Sequence, residues 1–203
     1  MRASDVREVA DAFAWLVAQP ALAPQGRAGI AGFSYGAAPV LLAALQPDIR
    51  HQVRFLLCVG GYYSLRQVIT YITTGFYPAG DAAAAAQPKR LPPHPYSLGV
   101  FIRSNLDLLE QPADRGLLRH YADDLLGRSA NQDPPIIGDM APDAQAFYDL
   151  LSNQDPRRVP ALLERLPARI QRELASIDPA AEDLSQVTAQ VLLLHGRSDN
   201  LIP

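Results

Sequence analysis

The chain is short of several residue types that would settle its role at once. One cysteine, Cys58, in 203 residues excludes an internal disulfide and a cysteine-based zinc site. Lys89 is the only lysine, and no Lys/Arg cluster forms the electrostatic footprint of a nucleic-acid binder. No apolar run reaches the roughly 18 residues of a membrane span. Met1 is followed by Arg2-Ala3-Ser4-Asp5 with no apolar stretch behind it, so no signal peptide is visible and a cytoplasmic location is expected. Neither a G-x-G-x-x-G turn nor a phosphate-binding loop follows a strand, which disfavours a nucleotide-binding domain. Asp123-Asp124 and the acids around Asp139 and Asp143 lack metal-ligand spacing with histidine and read as a solvated helix face. No metal or organic cofactor is implied.

What is present has an ordinary globular balance. Apolar residues make up 48%, charged residues 19%, and the formal net charge is -3. The length suits one domain with a real core, and is too short for two large ones. Residues 5–19 place Val6, Val9, Ala10, Phe13, Leu16 and Val17 on one face at helical spacing. Ser4 or Asp5 is expected to cap that helix, and Pro20 to stop it. A short small-residue strand is expected over 27–33, then a helix over 37–46. Residues 55–60 (FLLCVG) and 190–194 (QVLLL) are apolar without alternation, which predicts buried parallel strands covered on both faces. Helix, strand, helix, strand in this order predicts a doubly wound α/β unit. Between the strands, residues 64–186 carry helical patterns at 98–110, 114–126, 143–152 and 157–176. A proline-rich stretch over about 78–96, with the run Ala82–Ala86, predicts an extended loop.

Gly32-Phe33-Ser34-Tyr35-Gly36 has the form G-x-S-x-G, placed between an apolar strand and a helix that begins with small residues. That pattern suits a sharp strand-to-helix turn with an exposed, strained serine, and glycines two residues either side allow close backbone approach. The following helix aims its N-terminus at Ser34, and the Tyr35 amide becomes a donor for a developing oxyanion. At the end of the last strand, His195-Gly196-Arg197-Ser198-Asp199-Asn200-Leu201-Ile202-Pro203 puts Asp199 on the same rim as Ser34. Tyr62 and Tyr63, just after the 55–60 strand, are candidates to line a substrate pocket, although ordinary aromatic packing explains them about as well.

Taken together, the elbow, the apolar strand after it and the HGRSDNLIP segment resemble the α/β-hydrolase fold family. The resemblance covers roughly residues 5–63 and 187–203, and implies an incomplete core over 1–63 and 187–203 with 64–186 as a mostly helical cap or lid insertion. It implies a serine hydrolase of the esterase or lipase kind acting on a small-molecule ester or related acyl bond. Ser34 would be the nucleophile and Asp199 the acid that orients a histidine. Tyr35, Gly32 and Gly36 would form the elbow and oxyanion site. The family's base lies beyond the acid, and none of His51, His94, His120 or His195 fills that position. His195 matches the structural histidine of the HG turn. The front of the chain also shows fewer strands than the family's sheet. The 203 residues by themselves are therefore expected to be inactive. The alternative is a non-catalytic domain that keeps the fold for binding or assembly.

Overall fold

A computed structural model describes residues 2–78, 88–128 and 140–202. The run Ala82–Ala86 and Asp139 lie outside the described residues. The chain divides into two compact units. One comprises Arg2–Leu65 with Glu173–Ile202, and the other comprises Arg66–Arg172.

The first unit is built on a three-stranded parallel sheet. Helix α1 (Ala3–Val17) leads into strand β1 (Ala28–Phe33). A single 3-10 turn at Ser34–Gly36 then enters α2 (Ala37–Ala43), and β2 (Val53–Val59) follows. The last strand, β5 (Gln190–Leu194), pairs with β2, so the order is β1-β2-β5 with β2 central. The unit is α/β, as its alternation of patterns predicts.

Register decides which face each side chain takes. Gly32, Cys58 and Leu193 stand side by side across the three strands, as do Phe33, Val59 and Leu194. Over β1 and β2 the face bearing Gly32 and Cys58 is covered by α2, which buries Ala38, Val40, Leu42 and Ala43; α1, which buries Ala10, Phe13 and Val17, packs beside α2, and Leu193 at the β5 edge stays exposed. Among the described residues the opposite face is largely open. Phe33 is 64% exposed and Leu194 56%, with Phe55 and Leu192 also exposed.

This corrects the expectation of two buried strands. Strand β2 is covered on one side only, and every residue of β5 is exposed. Non-alternating apolar runs report that a strand can be covered on both faces, not that a cover is present. The helix after the elbow is also shorter than the expected 37–46. Residue 44 already closes it, and Leu45 and Gln46 continue in single turns to Leu42 and Ala43. At the front of α1, Arg2 rather than Ser4 or Asp5 is the cap residue. Asp5 sits three residues inside, where its carboxylate accepts the Arg2 N–H at 2.9 Å.

The second unit is helical. It contains most of α3 (Leu65–Thr74), a two-residue antiparallel ladder of β3 (Phe76–Tyr77) with β4 (Lys89–Arg90), and α4 (Pro95–Asn105). Helices α5 (Pro112–Leu125), α6 (Pro142–Leu151), α7 (Val159–Glu164) and the start of α8 (Ala168–Ala175) complete it. Its core is dense: Phe101, Ile102, Leu118, Phe147, Leu150 and Ile170 are fully buried, and the Phe101 and Phe147 rings lie 5.8 Å apart. The pattern over 157–176 predicts one helix, but Pro167 splits it into α7 and α8. Its missing N–H cannot continue the ladder. No helix of the described residues is long and apolar enough to cross a membrane.

Candidate active site

Ser34 sits where β1 ends and the 3-10 turn begins. Its φ is +52°, the only positive value at a non-glycine among the described residues. A side chain in this left-handed region costs roughly 1–2 kcal/mol against the usual backbone wells, yet the residue is exposed and nothing in a solvent-facing turn obliges it to be serine. Such strain persists only where the surroundings fix it, and it clusters at functional positions.

The surroundings do fix it, through two glycines. A Cβ at Gly32 would lie 2.6 Å from the Gly36 carbonyl oxygen, 2.6 Å from Val40 Cγ2 and 2.8 Å from Ala37 Cα. A Cβ at Gly61 would lie 2.3 Å from the Ala37 methyl. These two contacts let the start of α2 settle onto the ends of β1 and β2. The second glycine of the motif behaves differently: Gly36 has helical backbone angles and open space where a Cβ would go. The expectation that both flanking glycines are needed for close approach therefore holds for Gly32 alone. The need for Gly61 lies outside the G-x-S-x-G motif, and its sequence signal is the Gly60-Gly61 pair directly after an apolar strand.

Tyr35 contributes its amide and its ring separately. The first bond of the turn is made by Ala37 N–H to the Ser34 carbonyl, so the Tyr35 N–H lies ahead of the helical ladder, where turn amides have no intrahelical acceptor. The Tyr35 hydroxyl donates to Asp5 Oδ2 at 2.5 Å, and its ring stacks on Tyr62 at 6.5 Å. Burial, then the Asp5 carboxylate, pushes the phenol well above the ordinary tyrosine range. Asp5 thus ties the N-terminus of α1 to the residue next to Ser34. Nothing in the spacing of Asp5 and Tyr35, 30 residues apart, could have shown this pairing.

Asp199 follows β5 and lies on the same rim of the sheet, because all three strands run parallel. Its Oδ1 accepts the amides of Leu201 and Ile202 at 2.9 and 3.0 Å, which fixes the carboxylate against its own turn. Oδ2 lies 3.6 Å from His195 Nε2 and 3.5 Å from where a Cβ of Gly60 would stand. Gly60 has φ +60° and donates its N–H to the Leu194 carbonyl, so the loop after β2 passes directly beside the acid. The adjoining Gly61 approaches the Ser34 carbonyl oxygen, with a Cβ position 3.6 Å away. The Gly60-Gly61 step therefore links the surroundings of Ser34 and Asp199.

The histidines separate by position. His195 Nε2 lies 2.6 Å from the Ile202 carbonyl oxygen, bracing the turn that carries Asp199. His51 precedes β2, at the end of the sheet opposite Ser34, with its Nε2 3.3 Å from Arg50 Nε. His94 and His120 belong to the helical unit.

Tyr62 is a structural residue: it is buried, and its hydroxyl donates to the Ile177 carbonyl at 3.0 Å. Burial and the nearby Asp178 carboxylate hold its phenol above the usual range. Tyr62 and the exposed Tyr63 also border an apolar cavity of about 360 Å³ under Ala37, Cys58, Val191 and Leu193. Ser34 is not among its lining residues. Burial raises the Cys58 thiol, in keeping with an inert core position.

In the helical unit the expected solvated acidic face needs correction. Asp123 pairs with Arg103, and Asp124 is 2% exposed with both carboxylate oxygens lacking a hydrogen bond, while His120 Nε2 lies 3.8 Å from its Oδ2. Asp143 accepts the Glu110 amide and an Arg169 nitrogen, both at 2.7 Å. Helix packing buries Asp124 and half-buries Asp123 and Asp143, where periodicity alone reads a solvated face. Among the described residues no three His, Cys, Asp or Glu side chains group as a metal site. Compared with known proteins, the chain matches no family model, no curated protein and no solved structure.

Proposed function

We propose that the sheet unit is the core of a serine hydrolase of the α/β-hydrolase kind, acting on an ester or related acyl bond. The observation that carries this reading is the backbone of Ser34: an exposed serine held at φ +52° at the tip of a strand-to-helix turn. Asp199 on the same rim, with one oxygen anchored by its own turn, supports the acid role. Ser34 Oγ would attack the acyl carbon, and the Tyr35 amide would stabilise the oxyanion. A histidine oriented by Asp199 would take the serine proton. His195 is committed to the Ile202 carbonyl, so this reading requires a base that the 203 residues do not provide, and the chain alone is expected to be inactive.

A base supplied in solution tests the reading. Imidazole can accept the Ser34 proton while a fluorophosphonate probe phosphonylates Oγ and releases fluoride. The expected result is imidazole-dependent labelling mapped to Ser34 by peptide mass, lost in Ser34→Ala and reduced in Asp199→Asn. Labelling that never reaches Ser34 overturns the hydrolase reading.

The bare sheet face favours a second reading, a non-catalytic domain that uses this fold for binding or assembly. Absence of labelling together with a concentration-dependent mass in solution would favour it.

A further inference from the structure

The helical unit contains a groove of about 740 Å³, within the usual range for small-molecule sites, walled by α3, α4, α5 and α6. Its floor is apolar, with Ile72, Leu98, Leu125 and Leu151. Its polar groups are unbalanced in a definite direction. The chain carries 21 acids against 18 bases, yet among the described residues the lining holds Arg90 and His94 and no Asp or Glu.

Arg90 is placed by backbone. It pairs with Phe76 across the short β3-β4 ladder, its guanidinium stands 5.4 Å over the Phe76 ring, and the next residue, Leu91, donates to the Gly75 carbonyl. Among the described residues no carboxylate pairs with it. His94 Nδ1 accepts the Tyr96 amide at 3.2 Å, which puts the proton of the neutral ring on Nε2 and makes that atom a donor. Of the other lining groups, Thr73 and Thr74 donate their hydroxyls to backbone of α3, and Ser152 donates to the Tyr148 carbonyl. The groove therefore offers donors and positive charge above an apolar floor.

We propose that this groove binds an apolar monocarboxylate, with Arg90 and His94 at the carboxylate and the Leu98–Leu125 floor at the hydrocarbon. A planar guanidinium suits a carboxylate better than a point charge would, because two N–H groups can face two oxygens. The site is independent of any chemistry at Ser34.

Calorimetric titration of the 203-residue chain with octanoate, 1-octanol and octylammonium tests it. Saturable binding of octanoate is expected, at least tenfold tighter than that of octanol. Arg90→Gln should weaken octanoate tenfold or more and leave octanol unchanged. Arg90→Glu should lose octanoate and gain octylammonium. Arg90 is exposed, so both variants should keep the parent's circular dichroism. Equal affinity for octanoate and octanol, octanoate binding indifferent to Arg90, or no saturable binding would overturn the proposal. Binding to the bare sheet face is the outcome that would be indifferent to Arg90.

Discussion

The two units spend their apolar residues in opposite ways. The helical unit closes on itself, with Phe101, Phe147, Leu118 and Ile170 out of contact with water. The sheet unit leaves Phe33, Phe55, Leu192 and Leu194 in solvent on one side, and it also holds the strained serine. Both contain runs that look equally core-like in sequence. The lesson is that hydrophobicity marks what can be buried, while the partner that buries it is a property of the whole fold.

The difference predicts where large aromatic residues matter. Phe147→Ala should cost about 3–5 kcal/mol in urea unfolding, because it removes a fully buried ring and leaves a cavity. Phe33→Ser should fall within about 0.5 kcal/mol of the parent, as exposed positions do, while lowering aggregation. Similar losses for the two would dissolve the contrast.

Within the sheet unit the two motif glycines should separate next. Gly32→Ala forces a methyl against backbone and is expected to cost about 1–3 kcal/mol, whereas Gly36→Ala should be neutral or slightly stabilising, since its backbone is helical and its surroundings open. Thermal midpoints of the pair decide this. Equal costs would mean that α2 is not held by the Gly32 contact.

A smaller effect has the opposite sign. Ser34→Gly should stabilise by about 0.4–1 kcal/mol where left-handed strain outweighs the added freedom of the unfolded chain. A destabilised Ser34→Gly would show that the turn is relaxed and would weaken the argument from strain. Gains of stability at the cost of labelling are the usual behaviour of strained functional residues.

The smallest effect at neutral pH lies in the tyrosines. Tyr35 and Tyr62 both have phenols raised in the folded protein. Above about pH 10 the unfolded phenols lose their protons while the folded ones keep them, so their contribution is complete below that pH and declines as pH rises. Urea midpoints should fall between pH 9.5 and 11, on the order of the ordinary tyrosine range, and Tyr62→Phe should flatten the fall. An unchanged slope in that variant would remove Tyr62 from the account.

Much of the sheet unit was legible in the residues. The apolar runs give β5 at its observed limits and β1 and β2 within two residues, because short apolar runs between turn signals have few alternatives. The tight turn after β1 is legible for the same reason, since glycine and serine at fixed spacing constrain backbone directly. Long-range pairs were not legible. Asp5 with Tyr35, and Gly61 with Ala37, depend on where the chain returns in space, which local pattern does not encode. Helix α3 is not legible in the pattern, because its apolar face, Ile69, Ile72 and buried Tyr71, is interleaved with threonines that donate back to the helix carbonyls.

The open face of the sheet also sets how this protein should respond to temperature. Heat capacity rises on unfolding because apolar surface meets water for the first time. On the bare side of β1, β2 and β5 that hydration already exists in the native state. The sheet unit should therefore contribute less than the typical increment of about 12–15 cal/mol/K per residue, and its stability should vary with temperature along a flatter curve than that of the helical unit. A protein made of these two units has two differently curved stabilities joined in one chain, and their order of melting can change with denaturant.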